Sequence, residues 1–534
     1  MFHDLIRGTS GLLIAYGTVT ASGYVGIARA EAPQLRSILF WPLASVLVLI
    51  ASTIAFIILV WLLETLTHST LGESASFVFG LLFSTGTGFW CGRNWGSGRR
   101  SGVHHARGTV VLAAARHPLG ARRGKAAPGE VTVAGIPVPA EDELKHIKLI
   151  GSTGTGKSTL IREILHLALT RGDRAIIADP DGGYLSRFYH PARGDVILNP
   201  FDARSVRWDV FAELKSSYDA AQLARSLIPE RGADPQWPGF ARTFFEAVIV
   251  QAQAAGVRDL DELYRLLTSA PQAELRQLIA GTAAAPFAEE ANLKMFMGQR
   301  ATAAEHIKCF DYIRSQRGPS FSVKEWVRSG RGVLFLPYQA DQIAAIRSVI
   351  ATWMRLAIFQ TMSLGEGDHR LWFAIDELDA LGCIDGLSDA LVRLRRFGGR
   401  CLMGLQSIGL ISSTFGQGPA EAMVENCGTT VVLRCSASER GGTSRFASQL
   451  IGERQVVRMS QSRHAPDLIG GGNGHFSHGE SEQHATEPAV MPSQIEQLPD
   501  RSGFLKFASH PSWMHVQFPF YELPKVAEPY VPYG

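Results

Sequence analysis

Residues 146–159 read HIKLIGSTGTGKST, and this stretch restricts the possible folds of the 534-residue chain more than any other. Ile147, Leu149 and Ile150 form a short apolar strand before the glycines. After them Leu160, Ile161, Ile164, Leu165, Ala168 and Leu169 recur at helical spacing, and Arg171 with Gly172 supplies a helix stop. A strand that passes through Gly151, four residues, Gly156, Lys157 and Ser158 into a helix is a unit of a parallel sheet, so the fold class is α/β. Gly151, Gly154 and Gly156 let backbone N–H groups close around phosphate oxygens where a Cβ would clash. The following helix aims its positive end at the same point. Lys157 supplies a point charge between the β and γ phosphates, and Ser158 offers a hydroxyl to Mg²⁺. Gly151, Ser152, Thr153, Gly154, Thr155, Gly156, Lys157, Ser158 and Thr159 form the candidate nucleotide-binding set. A plain glycine-rich surface turn is the competing reading, and the flanking strand and helix weigh against it.

A site that hydrolyses its nucleotide also needs an acid on a neighbouring strand and a group that activates water. Leu371 to Leu378, LWFAIDEL, is an apolar strand that ends in Asp376 and Glu377 at the carboxyl edge, where ligands of a parallel sheet collect. Asp376 is placed to hold the Mg²⁺ shell and Glu377 to take the proton of the attacking water. Many buried strands end in acids; beside a phosphate cradle that bland reading loses weight. Leu402 to Gln406, LMGLQ, is another short strand, whose terminal amide is suited to sense the γ phosphate or orient water. Between them Arg393, Arg395, Arg396 and Arg400 form a basic cluster, read either as an arginine finger for a neighbouring subunit or as a solvated helix face.

At about 150 residues per domain, the chain has room for two to four units. With 46% hydrophobic and 19% charged residues, wholesale disorder is excluded. The net charge of +3 argues for no polyanionic partner by itself. Six cysteines without a CxxC pair suggest neither a zinc ribbon nor a disulfide framework and fit a reducing compartment. Ile38 to Leu63 is an uncharged run of 26 residues, long enough as a helix to cross a hydrocarbon core of about 30 Å. It is too long for the apolar core of a cleaved signal peptide. Ser74 to Cys91 is a second uncharged run, which makes a transmembrane hairpin. Arg29 and Arg36 before it, and Arg93, Arg99 and Arg100 after it, put both ends on the cytoplasmic side. Gly8 to Ile27 is also uncharged and reads as a third span, an interfacial segment or a soluble stretch. Arg93 to Gly129 carries seven Arg, one Lys and no acid, which suits a linker held to anionic lipid better than a DNA contact. Gln461 to Glu487 is poor in apolar residues and reads as a mobile loop. His464, His475, His478 and His484 within it fit no tetrahedral metal spacing.

In order, the chain carries GSTGTGKSTLIREIL, IIADPDGGYLSRF, DVILNPFD, LWFAIDEL, RRFGGRCLMGLQS and AVMPSQIEQLPDRSGFLKF. This set resembles the conjugative coupling proteins of type IV secretion systems, the TraD and TrwB type, over roughly Ile147 to Phe507 plus the membrane hairpin. The resemblance implies a RecA-like P-loop NTPase domain with an inserted all-α domain, an inner-membrane anchor, and a homo-hexamer with ATP sites between subunits. By position it assigns Lys157 and Ser158 to the Walker A pair and Asp376 and Glu377 to the Walker B pair. Gln406 matches the sensor glutamine, Arg395 the candidate finger, and Asp179 the acid of the DP turn. The implied cofactors are ATP and Mg²⁺; the implied partners are single-stranded DNA, a relaxase, channel components and inner-membrane lipid.

The expected organisation is a membrane anchor over 1–96, a basic linker over 97–130, the RecA-like domain over 131–204 and 319–515, the all-α domain over 205–318, and an extended tail over 516–534. The function implied is ATP-driven translocation that couples a relaxase–DNA complex to the secretion channel during conjugation. Three competitors share parts of this pattern: a receptor that exports effector proteins, a septal-type double-strand translocase, and a membrane adaptor that binds nucleotide without hydrolysis. An ABC subunit is disfavoured by the lack of an LSGGQ-like signature, and an adenylate-type kinase by the water-activating acid pair.

Overall fold

The computed structural model describes residues 2–28, 35–67, 73–96, 103–113, 129–229, 236–438, 441–464 and 477–533. Two compact units divide the chain: residues 1–107 with 455–486, and residues 108–454 with 487–534.

The first unit holds three helices, α1 (Phe2–Ala28), α2 (Leu35–Thr67) and α3 (Glu73–Gly96). The stretch left open as span, interfacial segment or soluble is thus helical in α1. Close approach of α1 to its neighbours rests on small residues: a Cβ on Gly23 would meet the Trp41 ring of α2 at 2.0 Å, and one on Gly92 would meet the Gly23 backbone at 2.2 Å. Tyr16 Oη donates to Pro42 O, the carbonyl of the one proline inside α2. Ile38–Leu62 within α2 has mean hydropathy 2.9, and Leu39, Leu43 and Leu47 are each at least 68% exposed. A helix that is apolar all round and uncovered on most sides has the length and surface of a membrane span. The helix α3 does not reach the same threshold of length and apolarity. Arg29, Arg99 and Arg100 lie outside the described residues.

Val103–Gly108 pairs with Glu453–His464, which pairs in turn with Ser477–Pro488. The basic linker therefore contains a strand, and both flanks of the segment expected to be a mobile loop are strands. Polar strands such as SHGESEQHATEP lack the apolar alternation that signals β structure, so pairing alone reveals them. Residues 465–476, with His475, lie outside the described residues.

The second unit is built on a ten-stranded sheet. In chain order its strands are β1 (Val111–Leu112), β2 (Ile147–Ile150), β3 (Arg174–Pro180), β4 (Val196–Ile197) and β5 (Val333–Tyr338). There follow β6 (Leu371–Ile375), β7 (Gly399–Leu405), β8 (Thr429–Val432), β9 (Ser502–Lys506) and β10 (Trp513–Gln517). They lie in the order β1-β10-β9-β8-β2-β7-β6-β3-β5-β4. From β8 to β4 every pairing is parallel, whereas β9 runs antiparallel to both β8 and β10. The edge strand β1 comes from the basic stretch, so that stretch is more than a linker.

Both faces of the parallel strands are covered, which is why they read as continuous apolar runs. Ile147, Ala175, Phe335 and Leu402 face a layer with α4 (Lys157–Thr170), whose Leu160, Ile164 and Ala168 are fully buried. Ile176, Leu334, Phe373 and Met403 face the opposite layer. That second core runs without a break into the helices inserted between β4 and β5, among them α5 (Ser217–Leu227), α6 (Gln236–Ala254), α7 (Leu260–Thr268), α8 (Leu293–His306) and α9 (Val323–Ser329). Trp208 at the base of the insertion packs edge-on to Phe310 and to Trp353 of the core helix α10 (Ile343–Met362), with ring centroids 6.2 and 5.7 Å apart. Arg207–Trp208 and Ser320–Phe321 pair as the stem of the insertion. The helix α10 also has the length and apolarity of a span, but 67% of its most apolar window is buried, so it is a core helix.

Candidate phosphate and water-activating site

The loop after β2 is stitched to its neighbours by backbone bonds: Gly151 N donates to Leu405 O (3.0 Å) and Ser152 N to Arg434 O (2.8 Å). It enters α4 through Gly156 at φ +117°, a conformation open to glycine and costly for other residues. A Cβ there would also press on the Phe518 ring at 3.1 Å. Thr155 is buried; its hydroxyl donates to Ser152 O, and its carbonyl accepts Arg501 N (2.9 Å). Lys157 is 6% exposed, and its Nζ donates to Gly151 O (2.6 Å) and Ser152 O (3.1 Å). Burial pushes its pKa down, while the nearby Asp376 and Glu377 carboxylates pull it back up.

Parallel register brings the acids to the same edge, since Ile375 lies beside Met403 of β7 and Ala178 of β3. Asp376 Oδ2 accepts the Ser158 hydroxyl at 2.7 Å. Gln406 Nε2 donates to Glu377 Oε1 at 2.6 Å, and the Thr153 hydroxyl donates to Gln406 Oε1 at 3.3 Å. Glu377 is partly buried, and burial first, then the charges of Asp376 and Asp379, raise its pKa against the opposing effect of Lys157. Thr153, Gly154, Gly156, Lys157, Ser158, Thr159, Asp376, Glu377 and Gln406 line one cavity of about 220 Å³, together with Arg162 and Phe520. Gly151, Ser152 and Thr155 shape the loop behind it.

Arg395 is not brought to this cavity. It sits, exposed, between α11 (Leu387–Leu394) and β7, where it acts electrostatically on Lys145 and His146 at the amino end of β2. Four strand residues at about 3.3 Å each separate that end from the cradle. Arg400 is buried, bonded to Asp368 (2.8 Å) and stacked over Trp372, so it is held by its own fold.

Two contributors, Tyr184 and Gly404, carry no motif signal of their own, and the DP-turn acid Asp179 supports the first of them. Tyr184, 2% exposed, donates its hydroxyl to Asp376 Oδ2 at 2.8 Å. Asp179 sets that tyrosine in place by accepting Tyr184 N (2.9 Å) and Leu185 N (2.6 Å), and its own pKa is pushed up to about 7 by burial. Gly404 lets β7 approach the acid strand, for a Cβ there would fall 1.9 Å from Asp376 O. The glycine in LMGLQ and the tyrosine after the DPDGG turn are the only traces of these roles in the sequence.

The residues fit a nucleotide with Mg²⁺. The cradle narrows where a Cβ at Gly156 would clash, Lys157 spends its donors on nearby carbonyl oxygens, and Ser158 with Asp376 offers the hard oxygen donors that Mg²⁺ prefers.

A parallel sheet with a glycine cradle, an Asp–Glu pair and a sensing amide at one edge defines a RecA-like nucleotide-binding protein with an all-α insertion. More narrowly, the family model described as the type IV secretion-system coupling protein DNA-binding domain matches residues 130–519, and the chain belongs to that family. Coupling protein TraD of Escherichia coli (strain K12) is 29% identical over 413 residues, which cover 76% of this chain and 56% of TraD. Protein VirD4 of Rhizobium rhizogenes is 24% identical over 170 residues, 30% of this chain and 24% of VirD4. The match thus spans about half the length of the first relative and a quarter of the second. The unbound conjugative coupling protein TrwBΔN70 superposes with TM-score 0.71 at 29% identity, over 81% of this chain and 97% of that one. TrwB in complex with ADP and Mg²⁺ gives 0.69 at 28% identity, over 80% and 96%.

Proposed function

We propose that this protein is an inner-membrane ATPase that moves single-stranded DNA, with its bound relaxase, to a type IV secretion channel. In this reading α2 and α3 anchor the chain as a hairpin with both ends in the cytoplasm, and six copies form a ring with nucleotide sites between them. The observation that carries it is the pair of bonds Ser158–Asp376 and Gln406–Glu377, which gather the start of α4 and the carboxyl ends of β6 and β7 beside one cradle, the first pair suited to a metal and the second to a water. The TrwB structures with ADP and Mg²⁺ and with a non-hydrolysable ATP analogue support the choice of cofactors.

Lys157 would turn from the loop carbonyls to the β and γ phosphates, and the loop N–H groups would take the remaining oxygens. Ser158 and Asp376 would hold Mg²⁺, which supplies charge neutralisation at the transferred phosphoryl group. Glu377, its pKa raised by burial, accepts the proton of the attacking water, and Gln406 fixes the direction of that carboxylate. Arg395 completes the site from a neighbouring copy. DNA held by its phosphates inside the ring should bind with little sequence preference and weaken as salt rises.

Lys157→Ala in the full chain tests the motor. Hydrolysis stimulated by single-stranded DNA and plasmid transfer should both be lost, with membrane insertion retained. Transfer at the normal frequency by that variant would overturn the reading.

A further inference from the structure

We propose that Phe520 is the platform on which the base of the nucleotide stacks. The inference rests on the nucleotide reading above and adds to it the part of the ligand that the cradle leaves unaddressed. Phe520 is the aromatic side chain among the described residues that line the cavity with Lys157 and Glu377, and it is 50% exposed. Two residues earlier, Phe518 is 5% exposed and covers Gly156, so the chain passes directly over the start of α4.

The ring is presented on a fixed backbone. Upstream, Phe518 N donates to Arg501 O at 3.0 Å; downstream, the Tyr521 ring meets the His166 ring of α4 with centroids 5.8 Å apart. Further on, Val526 N donates to Ser186 O (2.8 Å) and Ala203 N to Val531 O (2.8 Å). Pro519, with its φ fixed by the ring, precedes it. An exposed aromatic ring held this way gives up little conformational freedom when a flat ligand lands on it.

Two of the other polar side chains in the cavity are already engaged with the protein. The Gln406 amide donates to Glu377 and accepts from Thr153, and the Asp376 carboxylate accepts Ser158 and Tyr184. The Phe520 ring, without polar atoms of its own, meets a base through its π face.

Calorimetry of the full chain in detergent, with ATP, GTP and inorganic tripolyphosphate in Mg²⁺, tests this. Phe520→Ala should weaken ATP and GTP by about tenfold each and leave tripolyphosphate unchanged. Phe520→Trp should retain affinity and show fluorescence quenching with ATP but none with tripolyphosphate, relative to the parent protein. An unchanged ATP affinity in Phe520→Ala overturns the proposal. So does an equal loss for tripolyphosphate, which would make Phe520 a prop for the loop. A parent protein that binds neither ATP nor tripolyphosphate overturns the nucleotide reading itself.

Discussion

Asp376 is fixed by two hydroxyls on the same oxygen, Ser158 from the cradle and Tyr184 from below it. If Ser158 turns to the metal, Tyr184 is the donor that keeps the carboxylate aimed. Tyr184→Phe removes that donor from a buried site while keeping the ring, so the Mg²⁺ concentration needed for half-maximal nucleotide binding should rise several-fold, with binding in EDTA unchanged. A titration of fluorescent ADP against Mg²⁺ reads both. Glu377→Gln keeps the shape of the residue and the neighbouring Gln406, yet removes the proton acceptor; hydrolysis should fall on the order of 10²–10⁴-fold with nucleotide affinity retained. A variant with full turnover would move the base elsewhere. The motif residues around these two were legible because their spacing is local. Tyr184 was not, because its contact with Asp376 bridges 192 positions and only the sheet register brings it about.

His146 shows how one side chain joins several elements. Its Nδ1 accepts Cys401 N of β7 (3.1 Å), which leaves Nε2–H to donate to Leu391 O of α11 (2.8 Å), so the neutral ring ties β2, β7 and α11 together. Burial pushes its pKa down to about 4, and the positive Arg395 and Arg400 act in the same direction. The folded pKa lies below the unfolded value near 6.5, so the unfolded chain binds the extra proton first. Stability from this site is complete above pH 6.5 and is lost as pH falls toward 4, by about 3 kcal/mol in all. The thermal midpoint of the parent should therefore drop between pH 7 and 4.5 more steeply than that of His146→Gln; parallel slopes would refute it. At this scale the strands β2, β6 and β7 and the helix α4 are legible as apolar runs and helical spacing. The edge strand β1 and the ladder of Glu453–His464 with Ser477–Pro488 are not, because short or polar strands owe their existence to partners far along the chain.

For the whole molecule, the position of Arg395 decides how copies must cooperate. The residue stands near the amino end of β2, and the cradle forms at the carboxyl end of the same strand, so within one chain the strand's length separates it from the cradle. A ring of identical subunits, in which one face of each copy meets the opposite face of the next, offers Arg395 a neighbour's cradle instead. Arg395→Ala should then abolish hydrolysis while its own cradle still binds nucleotide. Lys157→Ala should abolish hydrolysis with its arginine intact. Co-assembled, the two inactive variants form some interfaces in which an unaltered cradle meets an unaltered arginine, and DNA-stimulated hydrolysis should reappear on mixing. Recovery that vanishes when both substitutions are placed in every chain locates the arginine across the interface. No recovery in mixed assemblies, with both variants shown to be present in the same ring, would place the finger at another of the exposed arginines, Arg393 or Arg396, or remove it from the chemistry altogether.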